Sequence, residues 1–125
     1  MRILCVEDDA DSRELMTLIL EQAGYEVVTA SDTGNALELA EQNKFALIIL
    51  DNWLAPGSGV ELCKQIRRFD THTPIIFLSS AAYKIDAEQA MAAGAQDYIT
   101  KPADFGALIA TIGNLVHSSS PQSVE

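Results

Sequence analysis

Five times along this chain a short run of β-prone apolar residues gives way to a segment with apolar residues at helical spacing. That alternation constrains the fold more than any other feature. Residues 45–50 are the strongest strand signal: six apolar residues in a row (FALIIL), as expected of a central parallel strand covered on both faces. Residues 3–6, 25–30, 75–78 and 97–100 read as the other four strands. The first intervening helix spans 11–23, places Leu15, Met16, Ile19, Leu20 and Ala23 on one face, and stops at Gly24. Ser31 or Asp32 caps a second helix running to about residue 43. Ser58 and Glu61 have capping-box spacing for a third, which turns Val60, Leu62, Cys63 and Ile66 inward and ends near Asp70. A fourth covers 84–93 and stops at Gly94; Asp104 caps a fifth, with Phe105, Leu108, Ile109, Ile112, Leu115 and Val116 at helical spacing.

Five strand–helix repeats imply an α/β fold, an open parallel sheet with helices on both faces. In such sheets the working crevice lies outside the carboxyl ends of the strands. The residues that follow the strands are therefore the informative ones: Glu7, Asp8 and Asp9 after the first, Asp51 after the third, Ser79 and Ser80 after the fourth, Lys101 and Pro102 after the fifth. Clustered carboxylates repel one another unless a cation or proton intervenes. Mg²⁺ suits such a cluster, because it takes oxygen ligands and commonly uses one or two carboxylates plus a phosphate. A carboxylate can attack phosphorus to give an aspartyl phosphate. Phosphoryl transfer then needs mainly positioning and charge neutralisation, which a metal, the Lys101 ammonium and the Ser79 hydroxyl would supply.

Composition excludes several classes. At 125 residues, with 48% hydrophobic and 21% charged residues, the chain suits one globular domain without disulfides or a structural metal. A formal net charge of −10 argues against gripping nucleic acid or an anionic membrane. Cys5 and Cys63 read as buried reduced thiols and His72 and His117 as surface residues; none lies in a zinc-ligand pattern. The absence of a signal-peptide core and of any apolar run near ~20 residues predicts a cytoplasmic protein. Gly57-Ser58-Gly59 lacks the following lysine of a phosphate loop and no G-x-G-x-x-G occurs, so nucleotide binding is not expected.

The segments ILCVEDD at 3–9, LIILDNWLAPGSG at 47–59, PIIFLSS at 74–80 and DYITKP at 97–102, in this order and spacing, resemble those of response-regulator receiver domains of two-component signalling. The resemblance runs from Arg2 to about His117. It implies a flavodoxin-like (βα)5 three-layer sandwich with strand order 2-1-3-4-5, a receiver over 1–117 and a polar, mobile tail over 118–125. It implies a phosphoacceptor switch in a phosphorelay, not a turnover enzyme. The phosphoryl group would come from a phosphohistidine of a sensor histidine kinase or histidine phosphotransfer protein.

Carried over residue by residue, the resemblance makes Asp51 the phosphoacceptor. Asp8 becomes a direct metal ligand, Glu7 a ligand mostly through water, and the backbone carbonyl of Trp53 the last protein ligand for Mg²⁺, with Mn²⁺ as a substitute. Ser79 becomes the switch hydroxyl, Tyr98 the aromatic switch residue and Lys101 the phosphate-binding lysine, with the Lys101–Pro102 peptide cis. Three positions depart from the usual pattern: Ala55 stands where proline is common, with Pro56 one place later, Ser80 replaces the usual small apolar residue, and Trp53 is unusually bulky beside the site.

The fifth helix has no charged residue from Phe105 to His117, and small uncharged surfaces suit protein contact. The face formed by helix 4, strand 5 and helix 5 is therefore expected to bind an effector or a second copy. Rival readings are weaker. An aspartate-nucleophile phosphatase would carry a second aspartate where Trp53 stands, and a flavodoxin-type binder would need a hydroxyl- and glycine-rich loop where Glu7, Asp8 and Asp9 stand. The remaining alternative is a degenerate receiver acting as a phosphorylation-independent interaction module.

Overall fold

The computed structural model describes residues 1–101 and 104–118. The elements alternate throughout: β1 (Arg2–Val6), α1 (Ala10–Gln22), β2 (Glu26–Ala30), α2 (Thr33–Gln42), β3 (Leu47–Leu50), α3 (Gly59–Arg67), β4 (Ile75–Ser79), α4 (Lys84–Ala92), β5 (Asp97–Thr100) and α5 (Phe105–Ser118). All strand pairs are parallel and the sheet order is β2-β1-β3-β4-β5. This is the flavodoxin-like topology expected from the sequence.

The period-two geometry of the strands divides the core into two layers. Leu4, Val6, Ile48, Leu50, Ile75 and Phe77 face α2, α3 and α4, where Ala36, Ala40, Leu62, Cys63, Ile66 and Ala90 meet them. Ile3, Cys5, Leu47, Ile49, Ile76 and Leu78 face α1 and α5, against Met16, Leu20, Leu108, Ile112 and Val116. Both cysteines are buried and free, as expected. Burial pushes the Cys5 thiol up to about 12, helped by the negative charge of Glu7, and pushes Cys63 up to about 11. His72 and His117 are exposed. Among the described residues no helix is long and apolar enough to cross a membrane.

The helix starts follow side-chain chemistry. Asp9, Asp32 and Ser58 each accept a hydrogen bond from the backbone N–H three residues on, at Ser12, Asn35 and Glu61, and Asp104 does the same for Ala107. Several sequence-based boundaries need correction. β3 begins at Leu47, not residue 45. Phe45 instead packs beneath the Arg2 guanidinium, 5.4 Å from its ring centroid, and Ala46 N–H bonds to the Arg2 carbonyl. β2 begins at Glu26, because the Tyr25 N–H closes the end of α1 on the Leu20 carbonyl. α3 ends at Arg67; Asp70 lies beyond it and its carboxylate holds the turn through His72 N–H, Thr73 N–H and the Thr73 hydroxyl. Leu15 and Ala23 are exposed, not inward. α1 presents the stripe Met16–Leu20 to the sheet, and one residue's step turns Leu15 about 100° away from it.

One close approach positions the site. Gly59, the first residue of α3, donates its N–H to the Asn52 carbonyl, and a Cβ there would lie 2.0 Å from the Asp51 carbonyl oxygen and 3.0 Å from the Phe77 ring. No side chain fits without moving the backbone that carries Asp51. Gly113 in α5 has open space around the same position. Gly59→Ala is therefore expected to cost roughly 1–3 kcal/mol, as overpacked cores do. Gly113→Ala should gain roughly 0.5–1 kcal/mol by helix propensity. Urea denaturation of the two variants beside the parent checks both signs.

Candidate functional site

The register of the parallel strands delivers the acidic residues to one edge. Val6 pairs with Leu50 and with Ala30, so the chain leaves β1 and β3 at the same level, with Glu7 and Asp51 as the next residues. Glu7 N–H bonds to the Ala30 carbonyl and Asp51 N–H to that of Val6, extending the sheet ladder under both side chains. At the other edge Ser79 pairs with Thr100, and Lys101 N–H bonds to the Ser79 carbonyl.

Glu7, Asp8 and Asp51 each place a carboxylate oxygen within 4.8 Å of the others. Glu7 and Asp51 are buried and Asp8 is exposed. Lys101 Nζ donates to Glu7 Oε1 at 2.7 Å and lies 3.9 Å from Asp51 Oδ2. Partial burial pulls the Lys101 ammonium's pKa down. The Glu7 hydrogen bond and the charges of Glu7 and Asp51 more than offset this, so it ends above its ordinary value. Three carboxylates less one ammonium leave a formal −2 at this point. Both Glu7 oxygens are engaged, Oε1 by Lys101 and Oε2 by Asp9 N–H, while Asp51 Oδ1 accepts Trp53 N–H at 3.2 Å. Asp8 is the member of the cluster whose carboxylate is exposed. An all-oxygen donor set with a residual double negative charge fits a hard divalent cation.

Ser79 and Tyr98, expected from the sequence as the switch residues, lie on the neighbouring strands β4 and β5. Ser79 is fully buried and its Oγ accepts Ala81 N–H at 3.2 Å. The Tyr98 ring stacks on Phe77 at 5.7 Å between centroids and its hydroxyl donates to the Ala81 carbonyl at 2.6 Å. Burial raises the phenol's pKa above its ordinary value, with the polar groups of Ser79 and Asn52 acting the other way. Trp53, on the loop after β3, is 62% exposed and lines a 710 Å³ cleft with Asp8, Asn52, Asp86 and Gln89. Pro102, and with it the expected cis Lys101–Pro102 peptide, lies outside the described residues, as does the tail beyond Ser118. Among the described residues the Ala55–Pro56 peptide is cis, in the stretch where the sequence departs from the usual pattern.

Three supporting residues escape the sequence reading. Arg13 Nη1 donates to the Glu7 carbonyl at 2.8 Å, tying α1 to the acidic loop. Thr33, at the start of α2, receives the loop after β3 through Thr33 N–H to Ala55 O and Thr33 Oγ1 to Pro56 O. Asn52 is 9% exposed although it follows directly on Asp51. The helical period gives Arg13 an outward position, and a polar residue after a buried strand reads as loop, so neither carries a local signal. Only the tertiary contacts expose their roles.

Comparison with known proteins agrees with this geometry. The family model described as "Response regulator receiver domain" matches residues 3–113. The chain is 42% identical over 101 residues to the transcriptional regulatory protein YrkP of Bacillus subtilis, covering 81% of this chain and 43% of that protein. It is 36% identical over 126 residues to the phosphate regulon transcriptional regulatory protein PhoB of Escherichia coli, covering 99% and 55%. It thus spans about half the length of these curated relatives. A CheY-like receiver domain from Methanospirillum hungatei superposes with a TM-score of 0.90 at 30% identity, covering 94% of each chain. The receiver domain of the Pseudomonas aeruginosa sensor histidine kinase PA1611, solved with a magnesium ion coordinated in its active-site cleft, gives 0.87 at 28% identity, covering 94% and 98%. With its strand order, its acidic edge and this match over nearly its whole length, the chain belongs to the response-regulator receiver domain family of two-component systems.

Proposed function

We propose that the chain accepts a phosphoryl group on Asp51 from a phosphohistidine and passes the signal to the face formed by α4, β5 and α5. The observation that carries this reading is the meeting of three carboxylates within 4.8 Å, with the Lys101 ammonium reaching in from the far strand.

Asp8 and Asp51 would hold Mg²⁺ directly, with the Trp53 carbonyl as a further ligand and Glu7, committed to Lys101, acting through water. Mn²⁺ is the expected substitute. When bound, the ion neutralises charge on the carboxylates and the transferring group. A carboxylate oxygen of Asp51 forms the new P–O bond as the donor's P–N bond breaks, and the imidazole of the donor leaves and recovers a proton. Lys101 can follow the phosphoryl oxygens without leaving the cluster, because it already lies 3.9 Å from Asp51. Ser79 has one reorientation to make, from its contact with Ala81 N–H toward a phosphoryl oxygen. Tyr98 then follows into the space Ser79 vacates, which alters its hold on the Ala81 carbonyl ahead of α4. The response is a shift between pre-existing states; moving it from 1:99 to 99:1 takes about 5.5 kcal/mol of differential interaction.

The donor is a sensor histidine kinase or histidine phosphotransfer protein. Leu15 and Leu18, exposed on α1 beside the acidic edge, supply an apolar approach for it. On the output side, Ile85 and Met91 of α4 are exposed, and Ala107, Ala110 and Asn114 expose an uncharged surface on α5, suited to an effector or a second copy. The acidic balance disfavours direct contact with nucleic acid or membrane. The domain is a switch over residues 1–117, and the side chains it needs are all present, which weighs against a phosphorylation-independent module.

Acetyl phosphate with Mg²⁺ should add one phosphoryl mass to the parent protein. Asp51→Asn or chelation of the metal should abolish that addition by intact mass, and Lys101→Met should slow it markedly. Trp53, half over the cleft, should hinder water at the acyl phosphate, so Trp53→Asn is expected to shorten the phosphorylated lifetime; an equal or longer lifetime would remove the shielding role. Lysines placed at Ala110 and Thr111 should weaken self-association or effector binding, read by analytical ultracentrifugation or pull-down, with the thermal midpoint unchanged.

A further inference from the structure

We infer that Thr33, in the turn from β2 to α2, is a positioning residue for the metal: by gripping the loop after β3 it sets the place of the Trp53 carbonyl, and with it the affinity for Mg²⁺. The inference rests on the reading of Asp8, Asp51 and the Trp53 carbonyl as the Mg²⁺ ligands, and adds to it a residue from outside the acidic cluster.

Thr33 is a buried polar residue, the first of α2 after the cap Asp32. The first N–H groups of a helix have no partner within it, so they are free to hold another segment. Thr33 uses both of its donors in this way. Its N–H bonds to the Ala55 carbonyl at 3.2 Å, and its hydroxyl donates to the Pro56 carbonyl at 2.7 Å, 23 positions further along the chain. The grip falls on the pair at which this loop departs from the usual pattern. The loop is also held at its root, where Gly59 N–H bonds to the Asn52 carbonyl at 3.1 Å and Trp53 N–H to Asp51 Oδ1 at 3.2 Å. Between the two clamps lie only Trp53 and Leu54, and Leu54 is buried. The backbone that carries the Trp53 carbonyl is therefore fixed from both sides.

The same turn steadies the other half of the site. The Ala30 carbonyl, three residues before Thr33, accepts Glu7 N–H at 3.0 Å. One short connection over 30–33 thus braces both loops that carry the acids. A ligand already in place is cheaper to bind than one that must be ordered first. Without the Thr33 hydroxyl, Mg²⁺ must select the right loop geometry from a mixture, and its apparent dissociation constant rises by the inverse of the competent fraction.

The test is a titration of the full chain with MgCl₂, without phosphodonor, followed by the fluorescence of Trp53, the only tryptophan. It compares the parent with Thr33→Val, which keeps the shape and removes the hydroxyl, and with Thr33→Ser, which keeps the hydroxyl. Thr33→Val is expected to weaken Mg²⁺ binding roughly three- to tenfold, the range one neutral hydrogen bond supports. Thr33→Ser should bind as the parent does. In the metal-free proteins, amide hydrogen exchange at Trp53 and Gly57 should be faster in Thr33→Val and not in Thr33→Ser. Equal Mg²⁺ affinity in the parent and Thr33→Val overturns the inference; so does equal weakening in Thr33→Ser, which would assign Thr33 to packing alone. Should Thr33→Val not fold, Thr33→Ala set against Thr33→Ser gives the same comparison. A parent that binds no Mg²⁺ would instead sink the metal reading and this inference with it, so the two failures are told apart by the parent's own titration.

Discussion

Every functional feature of this domain depends on one ion pair that closes the sheet's carboxyl edge. Lys101 and Glu7 are 94 positions apart in sequence and 2.7 Å apart in space, one at the end of the outer strand β5 and the other at the end of β1. Without that ammonium, Glu7, Asp8 and Asp51 would set three like charges side by side, two of them buried. With it, the cluster keeps a formal charge that a divalent ion can balance, and Asp51 lies 3.9 Å from the ammonium that Glu7 binds at 2.7 Å. The lysine's own position is fixed by its backbone, through Lys101 N–H to the Ser79 carbonyl, so the Ser79 hydroxyl and the charge partner ride on adjacent strand ends.

Rigidity around Asp51 has a separate origin. Its strand is buried on both faces, its N–H continues the ladder from Val6, and its carbonyl lies against Gly59 with no room for a side chain. The loop that follows is received by Thr33 at the start of α2. Preorganisation of this kind is what phosphoryl transfer rewards, because the chemistry asks for placement more than for covalent participation.

Much of this was legible in the sequence, for physical reasons that can be named. The run 45–50 announced a two-face-buried strand, and strand ends in an open parallel sheet announce the site, so Glu7, Asp8, Asp51, Ser79 and Lys101 could be singled out before any geometry. What stayed hidden is what depends on contacts between distant segments. Leu15 looked like core because an apolar helix position is ambiguous by one residue; the sheet selects the Met16–Leu20 stripe and leaves Leu15 outside. Residues 45 and 46 looked like strand because burial and strand pairing share one apolar signature, yet Phe45 is buried by a cation above its ring. Asn52 looked like loop because nothing local shows that a polar residue after a strand faces inward.

The difference between α3 and α4 shows where the energy of a phosphoryl group can be spent. α3 buries Leu62, Cys63 and Ile66 besides Gly59, and displacing it would open the core at roughly 1.5–3 kcal/mol for each large side chain uncovered. α4 buries only Ala90 and leaves Ile85 and Met91 in solvent, so its hold on the sheet is slight. Its far end is pinned: Arg67 donates through Nε and Nη2 to the Gly94 carbonyl and through Nη1 to that of Asp70. Its near end hangs from the loop whose Ala81 carbonyl receives the Tyr98 hydroxyl. A helix anchored at one end, weakly buried along its length and tethered at the other by the Tyr98 hydroxyl resists displacement less than α3 does. The apolar side chains it would carry with it are those on the face proposed for output, which is why a change of one hydrogen bond near the acids can alter what a partner meets on α4.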